Sequence, residues 1–134
     1  NRKVVGWATS SRMTRQLALD ALQMALDRHS LEKGLVHHTD RGSQYASGDY
    51  QKVLSDRRIV CSMSRKGNCY DNAVAESFFG LLKTEWVNHC RYRSRSEAIR
   101  SLFYYIEIFY NRKRRHASLG YKTPHEYADL PLAA

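Results

Sequence analysis

Two carboxylates stand out among the 13 Asp and Glu of this 134-residue chain. Asp40 follows a short apolar run, Leu35-Val36-His37-His38, and opens an abrupt polar turn, Arg41-Gly42-Ser43. That pattern places it just beyond the carboxyl end of a strand, where open α/β sheets bind ligands. Glu76 lies in Asp71-Asn72-Ala73-Val74-Ala75-Glu76-Ser77-Phe78-Phe79, a run read as helical. Ala73, Phe79 and Gly80 fall one turn away, so Glu76 is expected close to an apolar or small-residue face. A carboxylate there needs a partner, because burying a bare charge is costly, and a coordinated cation would supply one. Each residue also has a plainer reading. A turn aspartate commonly bonds its own backbone, and a helix-surface glutamate pairs with a nearby cation, here Lys83 or Lys66.

Softer features surround these two. His37 and His38 lead into Asp40 as a His-x-Asp, but are expected to be one packed and one hydrogen-bonded imidazole rather than ligands. Glu85, nine positions after Glu76, is expected to be a surface or ion-pair residue. Arg65 and Lys66 sit in a basic loop feeding the glutamate helix, where phosphate contact competes with simple solvation. Lys83, on the same helix, joins them as a candidate DNA contact. Arg112, Lys113, Arg114 and Arg115 end an aromatic helix. Cations favour a helix carboxyl terminus, but four in succession exceed that need and point to a DNA backbone. The aromatics Phe103, Tyr104, Phe109 and Tyr110 are read as core, not as base-stacking platforms.

Taken together, the two carboxylates are 76 − 40 = 36 positions apart, with 35 residues between them. His37-His38-Thr39-Asp40-Arg41-Gly42-Ser43-Gln44-Tyr45 resembles the second-aspartate motif of bacterial insertion-sequence transposases of the retroviral-integrase superfamily. The run from Asp71 to Phe79, with Leu82-Lys83-Thr84-Glu85, resembles that family's glutamate motif, and the 35-residue spacing is characteristic of it. Tyr110-Asn111, Arg114-Arg115-His116, Leu119-Gly120-Tyr121 and Thr123-Pro124 resemble its closing signature. The resemblance covers essentially the whole chain. It implies a ribonuclease H-like fold in which an Asp, Asp, Glu triad holds two magnesium or manganese ions that activate water or a DNA 3′-hydroxyl for attack on a phosphodiester. Hard carboxylate oxygens suit such cations. Asp40 matches the second aspartate and Glu76 the glutamate, so both are expected to be catalytic and to ligate Mg2+ or Mn2+.

One departure concerns the first aspartate, which in the family lies on the first strand. Only Asp20 and Asp27 precede Asp40, and both fall in a predicted helix. The chain is therefore expected to begin at the family's third strand, lacking its first two. Such a piece is expected to bind metal weakly, to join no DNA ends alone, and either to be marginally stable or to associate through an unpaired strand edge at Leu35 to His38. The function implied is DNA cleavage and strand transfer by a polynucleotidyl transferase. Its partners are double-stranded DNA, both element ends and target, and further copies of itself in the full-length enzyme. The competing readings are an inactive nucleic-acid-binding remnant and a nuclease of the same fold that only hydrolyses.

The elements that must position these groups follow from pattern. Val4-Val5-Gly6-Trp7-Ala8 reads as a short buried strand. Thr14 could cap a helix to about His29, with Leu17, Ala18, Ala21, Leu22, Ala25 and Leu26 on one face. Strands are expected at Leu35 to His38 and at Arg58 to Cys61, with a short helix capped by Ser47 between them. Helices follow from about Asn72 to Val87 and from Ser94 to about Asn111, the latter opened by a Ser94-Arg95-Ser96-Glu97 capping box. The rest is a basic segment and a Pro-containing tail. Alternating strands and helices indicate an α/β layer fold with at least one parallel pair; the resemblance implies that its sheet is mixed and flanked by helices, in one domain over residues 1–130 with a tail at 131–134.

Composition agrees. Hydrophobic residues make up 43%, enough for a core, and 22 Lys and Arg against 13 Asp and Glu give a formal charge of +9. A pI near 9.7 favours a polyanionic partner. No apolar run approaches the ~20 residues of a membrane span, so no membrane partner is expected. Cys61, Cys69 and Cys90 are odd in number and form no C-x-x-C pair, which fits a reducing cytosol; the resemblance implies the bacterial cytoplasm, in association with the nucleoid.

Overall fold

A computed structural model describes residues 1–64 and 73–131. The chain divides into two compact units. One runs from Val5 to Glu76, and the other joins Asn1–Val4 to the chain from Ser77 onward.

The first unit is built on α1 (Arg15–Arg28), β1 (Val36–Thr39), α2 (Ser43–Ala46), α3 (Gly48–Asp56) and β2 (Val60–Met63). β1 and β2 pair in parallel, with Val36 beside Val60, His37 beside Cys61, His38 beside Ser62 and Thr39 beside Met63. Parallel strands need a crossover, and α2 and α3 supply it. Ser47 caps α3 by accepting the Tyr50 N–H, as its type and position predict. Leu22 and Leu26 of α1, Tyr50 and Leu54 of α3, and Ile59 form the core, with Cys61 packed against it. The sheet is therefore two-sided in character. His37 and Cys61 face the core, while Val36 and Val60 stand opposite one another on the outer face, 57% and 54% exposed.

The second strand begins two residues later than its sequence pattern suggests. Arg58 takes a left-handed turn at φ 55, and the Ile59 N–H bonds the Leu54 carbonyl, so both residues close α3 instead of opening β2. The expected strand at Val4 to Ala8 does not form. Within this unit Gly6 lies directly on α1: a Cβ there would come 2.2 Å from the Ala21 carbonyl oxygen and 2.9 Å from Ala25. The Trp7 N–H meets the Met24 sulfur at 3.4 Å. This backbone packs on a helix, so no ladder is available to it.

The second unit contains most of α4 (Ala73–Glu85, which begins in the first unit), α5 (Arg95–Phe103) and α6 (Pro124–Ala128). Single 3-10 turns lie at Val87–His89 and Ala117–Leu119. Val4 belongs here, and its strand-like backbone is satisfied by one side chain. The Asn111 amide accepts the Val4 N–H and donates to the Val4 carbonyl, both at 2.9 Å. Ser94 caps α5 by accepting the Glu97 N–H, but the Glu97 carboxylate accepts the Arg93 N–H, so the expected reciprocal box is half made. Past Phe103 the helix widens into a π-helical stretch, Tyr104–Tyr110. Wider turns bring residues five apart onto one side, which lets Tyr105, Ile106 and Tyr110 all be buried. The supposed tail carries α6, opened by a complete capping box in which the Thr123 hydroxyl and Glu126 carboxylate each accept the other's backbone N–H.

Candidate active site

Asp40 stands exposed immediately after the last residue of β1, as its sequence context predicts. Its Oδ1 accepts the Gly42 N–H at 2.7 Å, closing a turn around the carboxylate. Gly42 is the seat of that turn. A Cβ there would meet Asp40 Oδ1 at 2.9 Å and Gln44 Oε1 at 3.0 Å. The turn reading and the ligand reading of Asp40 are thus compatible, because one oxygen orients the group and the other bonds nothing among the described residues.

Both histidines are committed within the chain. His37 Nε2 lies 2.7 Å from the Tyr50 hydroxyl, and its ring packs against the Tyr50 ring. Burial, and next the neighbouring His38, hold the His37 pKa below its ordinary value. His38 bonds Ser62 Oγ through Nδ1 and Ser64 Oγ through Nε2, each at 3.0 Å. The Ser64 hydroxyl donates to the Thr39 carbonyl at 3.2 Å, so its oxygen accepts from His38. Neutral His38 therefore carries its proton on Nε2 and accepts from Ser62 at Nδ1. Neither imidazole is offered as a ligand. Tyr45 packs edge-on against Tyr50 with ring centroids 5.4 Å apart. Burial, and next the Asp40 charge, raise its phenol pKa.

Glu76 lies in the first turn of α4, where the helix dipole favours a negative charge. The expected neighbours one turn away, Ala73, Phe79 and Gly80, are not buried: all three are exposed, Phe79 at 54%, and Glu76 is itself exposed. Lys83 is exposed seven positions on. Two helical turns span roughly 10 Å, too far for an ion pair. Among the described residues no group of three or more His, Cys, Asp or Glu could hold a metal. Asp40 and Glu76 both belong to the first unit and offer only hard oxygen donors, the donor type that Mg2+ and Mn2+ prefer. Arg65 and Lys66 lie outside the described residues.

The basic cluster of the second unit is not uniform. Arg112, Lys113 and Arg115 are exposed, with the Lys113 ammonium 5.9 Å from the centroid of the Tyr104 ring. Arg114 is half-buried, and its Nε donates to both Glu85 oxygens, at 3.0 and 2.8 Å. The Tyr105 hydroxyl donates to the same carboxylate at 3.2 Å. Arg114 also meets His116 Nδ1 at 3.2 Å. The Arg114 hydrogen bond, above all, holds the Glu85 pKa below its ordinary value. Burial, and next Arg114 and Arg2, lower that of His116. Glu85 is thus the ion-pair residue its sequence position suggests, but its partner lies 29 positions away, which helical spacing could not have revealed. Of the four aromatics read as core, Tyr110 is buried and Phe109 half-buried, but Phe103 and Tyr104 are 47% and 40% exposed. Trp86 stacks on Tyr104 and Phe109, and the fully buried ring is Tyr105, which the sequence pattern did not single out.

Comparison with known proteins accords with this arrangement. Two family models described as integrase core domain match, over residues 1–69 and 57–124. The chain is 48% identical over 133 residues to the transposase InsF of insertion sequence IS3A from Escherichia coli (strain K12), covering 99% of this chain and 46% of that protein. It is 46% identical over 127 residues to the transposase of insertion element IS904 from Lactococcus lactis subsp. lactis (strain IL1403), covering 95% and 50%. An uncharacterized 31 kDa protein of insertion element IS600 from Shigella sonnei is 51% identical over 122 residues, covering 91% and 45%. The chain thus spans about half the length of the curated relatives it matches. Among solved structures, a chain of the simian T-cell lymphotropic virus intasome in complex with PP2A regulatory subunit B56 gamma aligns with TM-score 0.70. Identity is 19%, over 93% of this chain and 44% of that one, a likeness of fold: the ribonuclease H-like arrangement.

Proposed function

Because the chain belongs to the integrase core domain family, we propose that it is part of the catalytic domain of an insertion-sequence transposase, acting in DNA cleavage and strand transfer. The observation that carries this reading is Asp40, exposed at the carboxyl end of β1 with one oxygen pinned and the other bonding nothing among the described residues. Glu76, 36 positions further on and exposed at a helix start, is its proposed companion. Bound Mg2+ or Mn2+ would supply Lewis acidity and an activated nucleophile. In this reading Asp40 and Glu76 hold the ions, which requires their carboxylates within ~8 Å of each other. Cations hold the DNA backbone: the exposed Lys83, Arg112, Lys113 and Arg115, together with Arg65 and Lys66, which lie outside the described residues. Duplex DNA is the proposed partner, and the bacterial cytoplasm the proposed setting. Among the described residues no helix is long and apolar enough to cross a membrane.

Titration with Mn2+, read by the electron paramagnetic resonance of the free ion, tests the reading. Asp40→Asn and Glu76→Gln should each weaken binding at least about tenfold, since each removes a charged ligand. Unchanged Mn2+ affinity in either folded variant sinks it. Retained DNA binding without metal binding would favour the inactive remnant instead.

A further inference from the structure

We propose that Ser64 is the positioning residue that sets the Asp40 carboxylate, an inference that rests on reading Asp40 as a metal ligand. Ser64 is only 5% exposed, and all its polar groups are spent on the residues flanking Asp40. Its N–H donates to the Thr39 carbonyl at 2.8 Å, one rung beyond the last pair of the β1–β2 ladder. Its hydroxyl donates to the same carbonyl at 3.2 Å and is itself held by His38 at 3.0 Å. That carbonyl belongs to the peptide plane that contains the Asp40 nitrogen and Cα, so fixing it fixes where Asp40 leaves the strand. On the far side of Asp40, Arg41 Nε donates to the Ser64 carbonyl at 2.8 Å. One buried serine therefore grips the chain both before and after the carboxylate. The Gly42 N–H then fixes the side chain at 2.7 Å. Binding geometry that precise is maintained by supporting hydrogen bonds around the ligand as much as by the ligand itself.

The test uses the whole chain and two readouts, exchange of the Gly42 amide proton and Mn2+ affinity, both well below the melting temperature. Ser64→Ala removes the hydroxyl and keeps the backbone bonds. It should speed Gly42 exchange and weaken Mn2+ binding, each by roughly fivefold, the worth of one net hydrogen bond. Ser64→Thr, which retains the hydroxyl, should restore both. Arg41→Ala, at an exposed side chain, removes the second grip and should act in the same direction. Ser62→Ala removes the other His38 bond but leaves Thr39 and Arg41 held, so it should change neither readout. The proposal is overturned if Ser64→Ala and Arg41→Ala both leave Gly42 exchange at its original rate, or if Ser62→Ala matches Ser64→Ala. If the unsubstituted chain and Asp40→Asn bind Mn2+ equally, the metal reading falls, and Gly42 exchange still decides whether Ser64 sets the turn.

Discussion

Separating Glu85 from Arg114 should destabilise the second unit by about 2 kcal/mol, and the structure fixes that magnitude between two limits. Fully exposed pairs contribute ~0–1 kcal/mol, whereas removing one partner of a buried pair costs ~3–5 kcal/mol. Here the side chains are 32% and 21% exposed, the guanidinium bridges both carboxylate oxygens, and the Tyr105 hydroxyl adds a third bond. Urea unfolding of Glu85→Ala, Arg114→Ala and the double variant gives the coupling directly, expected at about 1.5 kcal/mol, in the range of charge-assisted hydrogen bonds. The pH dependence has a defined sign. The folded-state pKa of Glu85 is depressed, so its contribution is present above the unfolded value, ordinarily about 4.3, and is lost as pH falls through the folded value. The cycle repeated at successively lower pH below about 4.3 should show the coupling decline. A coupling below about 0.5 kcal/mol at pH 7, or one that does not decline at all on acidification, would refute this account of the pair.

His116 titrates in the same direction at higher pH. Its folded pKa is lowered, so neutral His116 stabilises fully above about 6.5 and progressively less as pH falls below it; His116→Asn should flatten that part of the pH profile in urea titrations, and an unchanged profile would assign it to another group. DNA binding should depend on Arg112, Lys113 and Arg115 rather than Arg114: replacing those three by Ala should lower the slope of log affinity against log salt by up to about 2.7, at ~0.9 per phosphate contact, and an unchanged slope in filter binding would place the DNA face elsewhere. Gly6→Ala forces a methyl against the α1 backbone at Ala21 and should cost about 1–3 kcal/mol in thermal unfolding; a neutral result would show that the amino-terminal segment does not hold to α1. Val36 and Val60 present an apolar outer face, and Val36→Lys should reduce concentration-dependent association in sedimentation if that face mediates it.

The elements legible in sequence were those whose bonds are local. The α1 stripe, the Ser47 cap and the two parallel strands each declare themselves within a dozen residues, by helical spacing, a hydroxyl before a helix, or an apolar run ended by a turn. The misreadings came from longer-range satisfaction. Val4 to Ala8 has the composition of a strand, but Val4 is completed by Asn111, 107 positions away, and the Trp7 N–H meets the Met24 sulfur of α1. Nothing in the local pattern distinguishes such a segment from a strand, because the backbone needs only that its donors and acceptors be met. The missed α6 was different. Thr123-Pro124-His125-Glu126 carries both a capping box and a proline at the first helical position, signals that a stretch read as a tail obscured.

The candidate site divides along the same line. Asp40 and its turn could be found in sequence because strand end, carboxylate and glycine are consecutive, and the Asp40 Oδ1 to Gly42 bond spans two residues. Glu76 could be found from spacing, but its exposure could not. Ala73, Phe79 and Gly80, the small and apolar residues one turn from Glu76, would ordinarily face a core, and here they are exposed. The partners that decide what each charged group does come from far along the chain: Ser64 for the Asp40 turn, 24 positions away, and Glu85 for Arg114, 29 positions away. That distinction changes the functional assignment within the basic cluster. Four adjacent cations look equivalent in sequence, but a guanidinium already bound to a carboxylate and a histidine cannot release counterions from DNA without first breaking those bonds. Arg114 therefore acts as an internal tie, and its neighbours Arg112, Lys113 and Arg115 carry the exposed charge that a phosphate backbone would meet.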